Sequence, residues 1–360
     1  MVKPFNNTNV IYIQEYKTLR VNKKNIINKK LTGENKMKTF KLTKSFLIAV
    51  SLSALIFYIA GCSDNNVATG SMTDDQFLQQ VVTAGTGSNN SAEEDLMSNE
   101  SNDMDNGGAV GNGGDTPIDT LKKWGRRITN VNVNLQISNE GDTIKNVAVT
   151  RTITGNYYIV GIVSGQQDTI VKPYVEVFNR TVSFKRIAKT TTPSFNWKVY
   201  KVSMLSGGTT QPQNYTQYIQ MQQAQVYVNG SLKYTFTGPD FTQNIFTTIR
   251  FGGAGIPEVN TGDQVKIVIS TYSTQAEQDI VAWHWARNTF GFHREPFVMT
   301  SQTPNGSGWN RTYEKTFNVY QQHKKGIFNG FISASTHKSL YDNSPVEFAS
   351  NEIGVPYKVK

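Results

Sequence analysis

Four histidines are the first residues to ask for chemistry: His284, His293, His323 and His337. His284 sits between two tryptophans in Trp283-His284-Trp285, and His293 precedes Arg294 and Glu295. Two imidazoles and a carboxylate could hold a metal ion if a fold brought them together. Strand spacing alone does not do so, because alternate side chains leave opposite faces. The reading is therefore no metal site and no cofactor, with His284 and His293 kept as candidate ligand-binding residues. Nucleophilic catalysis finds no support. The chain has no Gly-x-Ser-x-Gly elbow, and Ser335-Thr336-His337-Lys338 is adjacency rather than geometry. Acid–base hydrolysis of a glycosidic bond needs two carboxylates at a fixed separation, and nothing in the sequence selects a pair. Gly252-Gly253-Ala254-Gly255 lacks the lysine and helix of a phosphate loop and reads as a plain loop. No catalytic residue is assigned, and a non-enzyme is expected. A hydrolase with unrecognised residues stands as one alternative. The other is a carbohydrate-binding module, in which Trp309 of the polar loop PNGSGWNR would present its ring to a sugar.

Cys62 is the one cysteine in 360 residues. Alone it can form neither an internal disulfide nor a thiolate metal centre. Gly61 precedes it and Ser63-Asp64-Asn65-Asn66 follow, which is poor company for a buried apolar residue. Upstream, Lys38, Lys41 and Lys44 lead into the uncharged, largely apolar run Phe46 to Ala60. That run is short for a membrane span, which takes about 20 apolar residues, and matches a secretory signal. From Met37 to Cys62 the pattern, ending Ile59-Ala60-Gly61-Cys62, resembles the lipobox of bacterial lipoproteins. Ile59 stands where leucine is commoner. The resemblance implies cleavage before Cys62 and lipidation of its sulfur and new amino terminus with chains such as palmitate. Several acyl chains then anchor the protein to a membrane. Cys-Ser-Asp also looks like the export signal of surface lipoproteins in the Bacteroidetes-like lineage, which implies the outer membrane and the cell surface. Residues 1–36 carry no apolar periodicity, so translation is expected to start at Met37, or the extra leader to leave with the signal.

Charge divides the chain. Residues 1–61 carry eleven Lys or Arg and two acidic residues, and Ser63–Leu121 carry eleven acidic and no basic ones. From Trp124 onward there are 23 basic and 14 acidic residues. The formal charge of +9 is therefore no nucleic-acid signature, and no nucleic acid is expected for an exported, lipid-anchored protein. The expected partners are the membrane, through the lipid, and a polysaccharide or another envelope protein. Residues 62–123 read as an acidic disordered tether, too polar to offset the entropy of folding. About 59 flexible residues would span ~45 Å. One island interrupts it, TDDQFLQQVVTA, where Thr73 and Gln76 form a capping-box pattern ahead of Phe77, Leu78, Val81 and Val82.

Period two takes over from Arg126. In ITNVNVNLQIS, Val131, Val133, Leu135 and Ile137 alternate with polar residues. Short β-branched and aromatic runs follow, separated by turn candidates at NEGD, TGN, GQQD and Asn229-Gly230. The expected fold is all-β: two consecutive antiparallel β-sandwich domains after residues 1–61 (leader and signal) and the tether. The first spans 124–257. The second, 258–360, has the length and general character of an immunoglobulin-like sandwich without its cysteine pair. A competing boundary lies at GGTTQPQN, near residue 210. In IVAWHWARN, a strand would place Val281, Trp283 and Trp285 on one face. The rival is a helix capped by Thr274 and Glu277. The function implied is a surface spacer, adhesion or binding module.

Overall fold

The structure, a computed structural model, describes residues 72–83, 117–248, 255–285 and 293–360. The leader, Cys62 and most of the expected tether lie outside the described residues. The described elements belong to one compact unit, Ser71–Lys360, and it is all-β in two antiparallel sheets. Among the described residues, no helix is long and apolar enough to cross a membrane.

The chain first forms a short helix, α1 (Asp74–Thr83). Its capping box closes as the sequence suggests: Gln76 N donates to Thr73 Oγ1 at 3.2 Å and Thr73 N to Gln76 Oε1 at 2.9 Å. Three long strands follow: β1 (Ile118–Glu140), β2 (Ile144–Val163) and β3 (Gln166–Arg186). Each was expected in shorter pieces. Gly155 reads locally as a turn residue, but it lies within β2 because a Cβ there would stand 2.5 Å from Arg127 O and 2.7 Å from the Tyr174 hydroxyl. It permits a close approach instead of a reversal. After α2 (Pro193–Asn196) come β4 (Trp197–Ser203), β5 (Leu205–Gln211), β6 (Ile219–Val228), β7 (Ser231–Thr237) and β8 (Ile245–Thr247). The β6–β7 turn has Asn229 at φ 50° and Gly230 at φ 80°, the conformation that Asn-Gly favours in a tight hairpin. The chain ends with β9 (Glu258–Val259), β10 (Gln264–Ser273), β11 (Ile280–Trp285), β12 (His293–Pro296), β13 (Val298–Asn305), β14 (Gly308–Asn318), β15 (Gly326–Ser335), α3 (His337–Tyr341) and β16 (Ser350–Val359).

Sheet A runs β1-β2-β3-β5-β16-β15-β11-β12, with β4, β8 and β9 attached; sheet B runs β13-β14-β10-β6-β7. Hydrogen bonding crosses the expected 257/258 boundary in both sheets. β10 pairs with β6 through partners such as Ile267 and Val226, and β16 pairs with β5 through Ile353 and Ser206. The two halves expected as consecutive sandwiches therefore share their sheets, because each half leaves strand edges that the other pairs. The alternative boundary near residue 210 falls at the end of β5 and cuts sheet A as well, because β5 pairs with β16.

The tether assignment needs a correction at its C-terminal end and at the island within it. Residues 118–123 belong to β1, and α1 is docked, with Leu78 and Val82 buried. Full burial of one such side chain stabilises by about 1.5–3 kcal/mol. The acidic first turn also meets basic groups of the body: Asp74 pairs with Arg186 at 3.3 Å and Asp75 with Lys145. Both cations lie over the Trp197 ring, Arg186 at 4.8 Å and Lys145 at 5.5 Å.

Two cores result. The first lies between the sheets and includes Ile267, Ile269, Val281, Trp283, Ile332 and Ile353. The second lies on the other face of sheet A, where Trp124, Tyr157, Tyr174, Phe331 and Phe348 pack together. The 274–279 connection between β10 and β11 is a loop rather than a helix. Arg311 fixes it, donating to the carbonyls of Gln275 (2.6 Å) and Ala276 (2.8 Å) and to Asp279 (2.8 Å).

Candidate functional site

A cavity of about 210 Å³ lies between the sheets, lined by side chains that include Trp283, Phe317, Tyr357, Tyr234, Ala224 and Ile332. Strand alternation places them. Trp283 on β11 shares its face with Val281, as the sequence predicts, and Ile332 on β15 projects into the same core. The Trp283 ring is stacked with Phe317 at 6.3 Å between centroids and tilted against Tyr357 at 6.2 Å. Gly330 lets it lie there, since a Cβ at that position would come within 1.7 Å of Cη2 of the indole. The lining turns polar where it reaches solvent: Asn318 and Tyr320 are exposed, and Glu295 and His323 are half-buried. Glu295 is held by Lys315 at 2.5 Å. His323 Nδ1 donates to the Lys324 carbonyl at 2.8 Å, and the ring stands edge-on to Phe328. Burial pushes the Tyr357 hydroxyl above its ordinary range, so it stays protonated and neutral.

The other face of sheet A carries charge. Arg126 Nη1 reaches Glu176 Oε2 at 2.8 Å and Glu352 Oε2 at 3.3 Å, and all three residues are buried. The guanidinium also lies 5.4 Å from the Phe331 centroid. Burial, then the Glu352 carboxylate, raises the Glu176 carboxyl well above the usual carboxylate range, against the opposing pull of Arg126. One cation between two carboxyls is best neutralised when one of them keeps a proton. Serine hydroxyls extend the cluster: Ser335 Oγ donates to Ser350 Oγ at 3.0 Å, and Ser350 Oγ to Glu352 Oε1 at 3.3 Å.

His284 belongs to this second face. Its Nε2 lies 2.8 Å from Ser333 Oγ, and Ser333 stands opposite Glu352 in the β15–β16 register. Serine and carboxylate thus share one row and the histidine reaches the serine from the next, but the order differs from a catalytic triad, in which the acid orients the histidine. Here the acid flanks the serine. His284 and Ser333 are buried, and the cavity lies on the opposite face of the sheet.

The sequence candidates do not converge. His284 faces the second core, across the strand pair from Arg294, while Glu295 pairs in register with Trp283. His293 opens β12 opposite Trp285, and its side chain lies outside the described residues. Trp309 is on β14 in sheet B, half-buried and in register with Pro304 and Ser273. No group of three His, Cys, Asp or Glu among the described residues could hold a metal ion. The buried cluster did leave one signal in the sequence. Glu176 falls in phase with Tyr174 and Phe178, so a charge stands where the alternation demands an inward residue.

No protein-family model matches the chain, and no curated protein matches it. Among solved structures, a GH31 alpha-xylosidase from Xanthomonas citri aligns at 7% identity over 71% of this chain and 38% of that one, with a TM-score of 0.18. The chain thus spans well under half of that enzyme. Likeness at this level supports no inference about fold or activity.

Proposed function

We propose that the chain is an exported lipoprotein of the bacterial cell envelope, held in the outer membrane through lipid on Cys62, whose β-sandwich body serves at the cell surface as a binding or adhesion module. The observation that carries this reading is the ordered run of Lys38, Lys41 and Lys44, the apolar Phe46–Ala60 segment and Ile59-Ala60-Gly61-Cys62. The thiol is the good nucleophile for alkylation at that point, and the small Ala60 and Gly61 leave the backbone open to a peptidase. The body supports the binding part of the reading through its cavity, because concave, mostly apolar sites with a few polar groups at one end are the common form of ligand pockets.

Cys62→Ala tests the anchor. The variant is expected to lose incorporation of a labelled palmitate analogue and to leave the membrane fraction for the soluble one. Membrane retention without label would replace the lipid anchor by an uncleaved signal anchor.

A further inference from the structure

We propose that the cavity between sheets A and B binds the apolar part of a small amphiphile, a guest of about the size of one aromatic ring or a short alkyl chain, with its polar head at the Asn318–His323 rim. The inference deepens the binding-module reading and is independent of the lipid anchor.

Size comes first. The cavity measures about 210 Å³, more than the ~150 Å³ apolar cavity that admits benzene. Its inner wall is aliphatic and aromatic: Val265, Ile267, Ile332, Val355, Phe236 and Trp283. A sugar ring inserted there would leave hydroxyls without partners, and an unmade buried hydrogen bond costs more than a made one returns. A hydrocarbon group meets no such penalty. The polar members of the lining, Asn318, Tyr320, His323 and Glu295, gather where the residues become exposed. That asymmetry orients a guest with its tail inward and its head toward solvent. The walls are also preformed. Trp283 is held between Gly330, Phe317 and Tyr357, and Tyr357 is braced by Phe328 at 5.7 Å. A second recess shares Tyr234 and Val259 with the cavity and adds Lys233, Glu258, Asp263 and Lys360. It offers further hydrogen-bonding groups beside the apolar chamber.

The test uses residues 63–360, which include every described element of the compact unit and lack the leader and the lipid. Ile, Leu and Val methyl groups are labelled and followed by NMR during titration with 1-octanol. Saturable shifts are expected at Ile267, Ile332, Val265 and Val355, with Ile153 and Ile159 of the second core unmoved. Glucose is expected to shift none of them. Ala224→Phe, which puts a ring into the chamber, should abolish the octanol shifts; Val265→Phe serves if that variant does not fold. The proposal is overturned by the absence of saturation, by equal shifts in both cores, or by undiminished binding in a folded filled-cavity variant. Because this material carries no Cys62, a failed titration leaves the lipid anchor standing. A failed Cys62→Ala fractionation likewise leaves the titration standing.

Discussion

The two faces of sheet A are built on opposite terms. Toward sheet B the side chains are almost all apolar, yet they leave about 210 Å³ unfilled. On the other face, Arg126, Glu176, Glu352, His284 and Ser333 are buried in direct contact with polar partners. Apolar residues need no particular partner, so a void among them is tolerated at the cost of lost dispersion contacts. At ~24 cal/mol per Å³, a closed cavity of this size would cost about 5 kcal/mol, and contact with solvent at the rim reduces that. Buried charges have no such latitude. Each must be matched, because removing one partner strands the other. The polar face therefore reads as a fixed support, and the apolar face as the place where a ligand can be received without dismantling the fold.

Removing the central cation should give the largest effect. Arg126→Leu leaves the Glu176 and Glu352 carboxyls without the guanidinium that now lies 2.8 and 3.3 Å away. The expected loss is about 3–5 kcal/mol in unfolding free energy from denaturant titration. Replacing Arg126, Glu176 and Glu352 together by leucine should recover much of it, since apolar substitutes for a buried ion cluster are often neutral or better. A single-variant loss below about 1 kcal/mol would mean that water already reaches the cluster, and the contrast between the faces would fail.

The apolar face is tested by Gly330→Ala. The new methyl group would stand 1.7 Å from Cη2 of Trp283, so the ring must move toward the chamber. Overpacking of this kind costs about 1–3 kcal/mol, with the void absorbing part of the strain. The same movement should weaken the methyl shifts that octanol induces. A lowered unfolding midpoint with undiminished octanol binding would show that the Trp283 ring does not bound the binding space.

Much of the strand content could be read locally, and most of the pairing could not. Alternation in IVAWHW placed Val281 and Trp283 on one face because side-chain direction on a strand is a property of neighbours in sequence. The Thr73–Gln76 cap and the Asn229-Gly230 turn are legible for the same reason. Gly155 misled because a glycine marks both a turn and a close approach, and only the position of Tyr174 decides between them. Sheet membership depends on partners such as Val228 with Val265 and Gly207 with Glu352, and such long-range pairing leaves no periodic trace. The cavity is less legible still. Its lining runs from Ala224 to Val359, and a void is the absence of side chains that no single residue announces. The docking of α1 was half legible. Leu78 and Val82 form an apolar face, but the cations that receive Asp74 and Asp75 come from β2 and β3.

The smallest effect expected is one of pH, and its sign follows from the polar face. Burial beside Glu352 raises the Glu176 carboxyl above its unfolded value, so folding takes up a proton in the window between the two values. Stability from this group is fully present below the unfolded carboxylate range and falls as pH rises toward the folded value. Glu176→Gln keeps a neutral, hydrogen-bonding group of the same shape and removes the titration. The variant should match the parent in unfolding midpoint under acidic conditions, where Glu176 is protonated in both states. Its relative stability should improve as the pH is brought up to neutrality, because only the parent then has to take up a proton to fold. The change should be smaller than that of Arg126→Leu, since the amide oxygen can still accept from the guanidinium. A difference between the two proteins that is flat with pH would mean that Glu176 is ionised in the folded state. Arg126 would then balance two carboxylates at once, and the three-residue cluster would carry a net negative charge that its surroundings must offset.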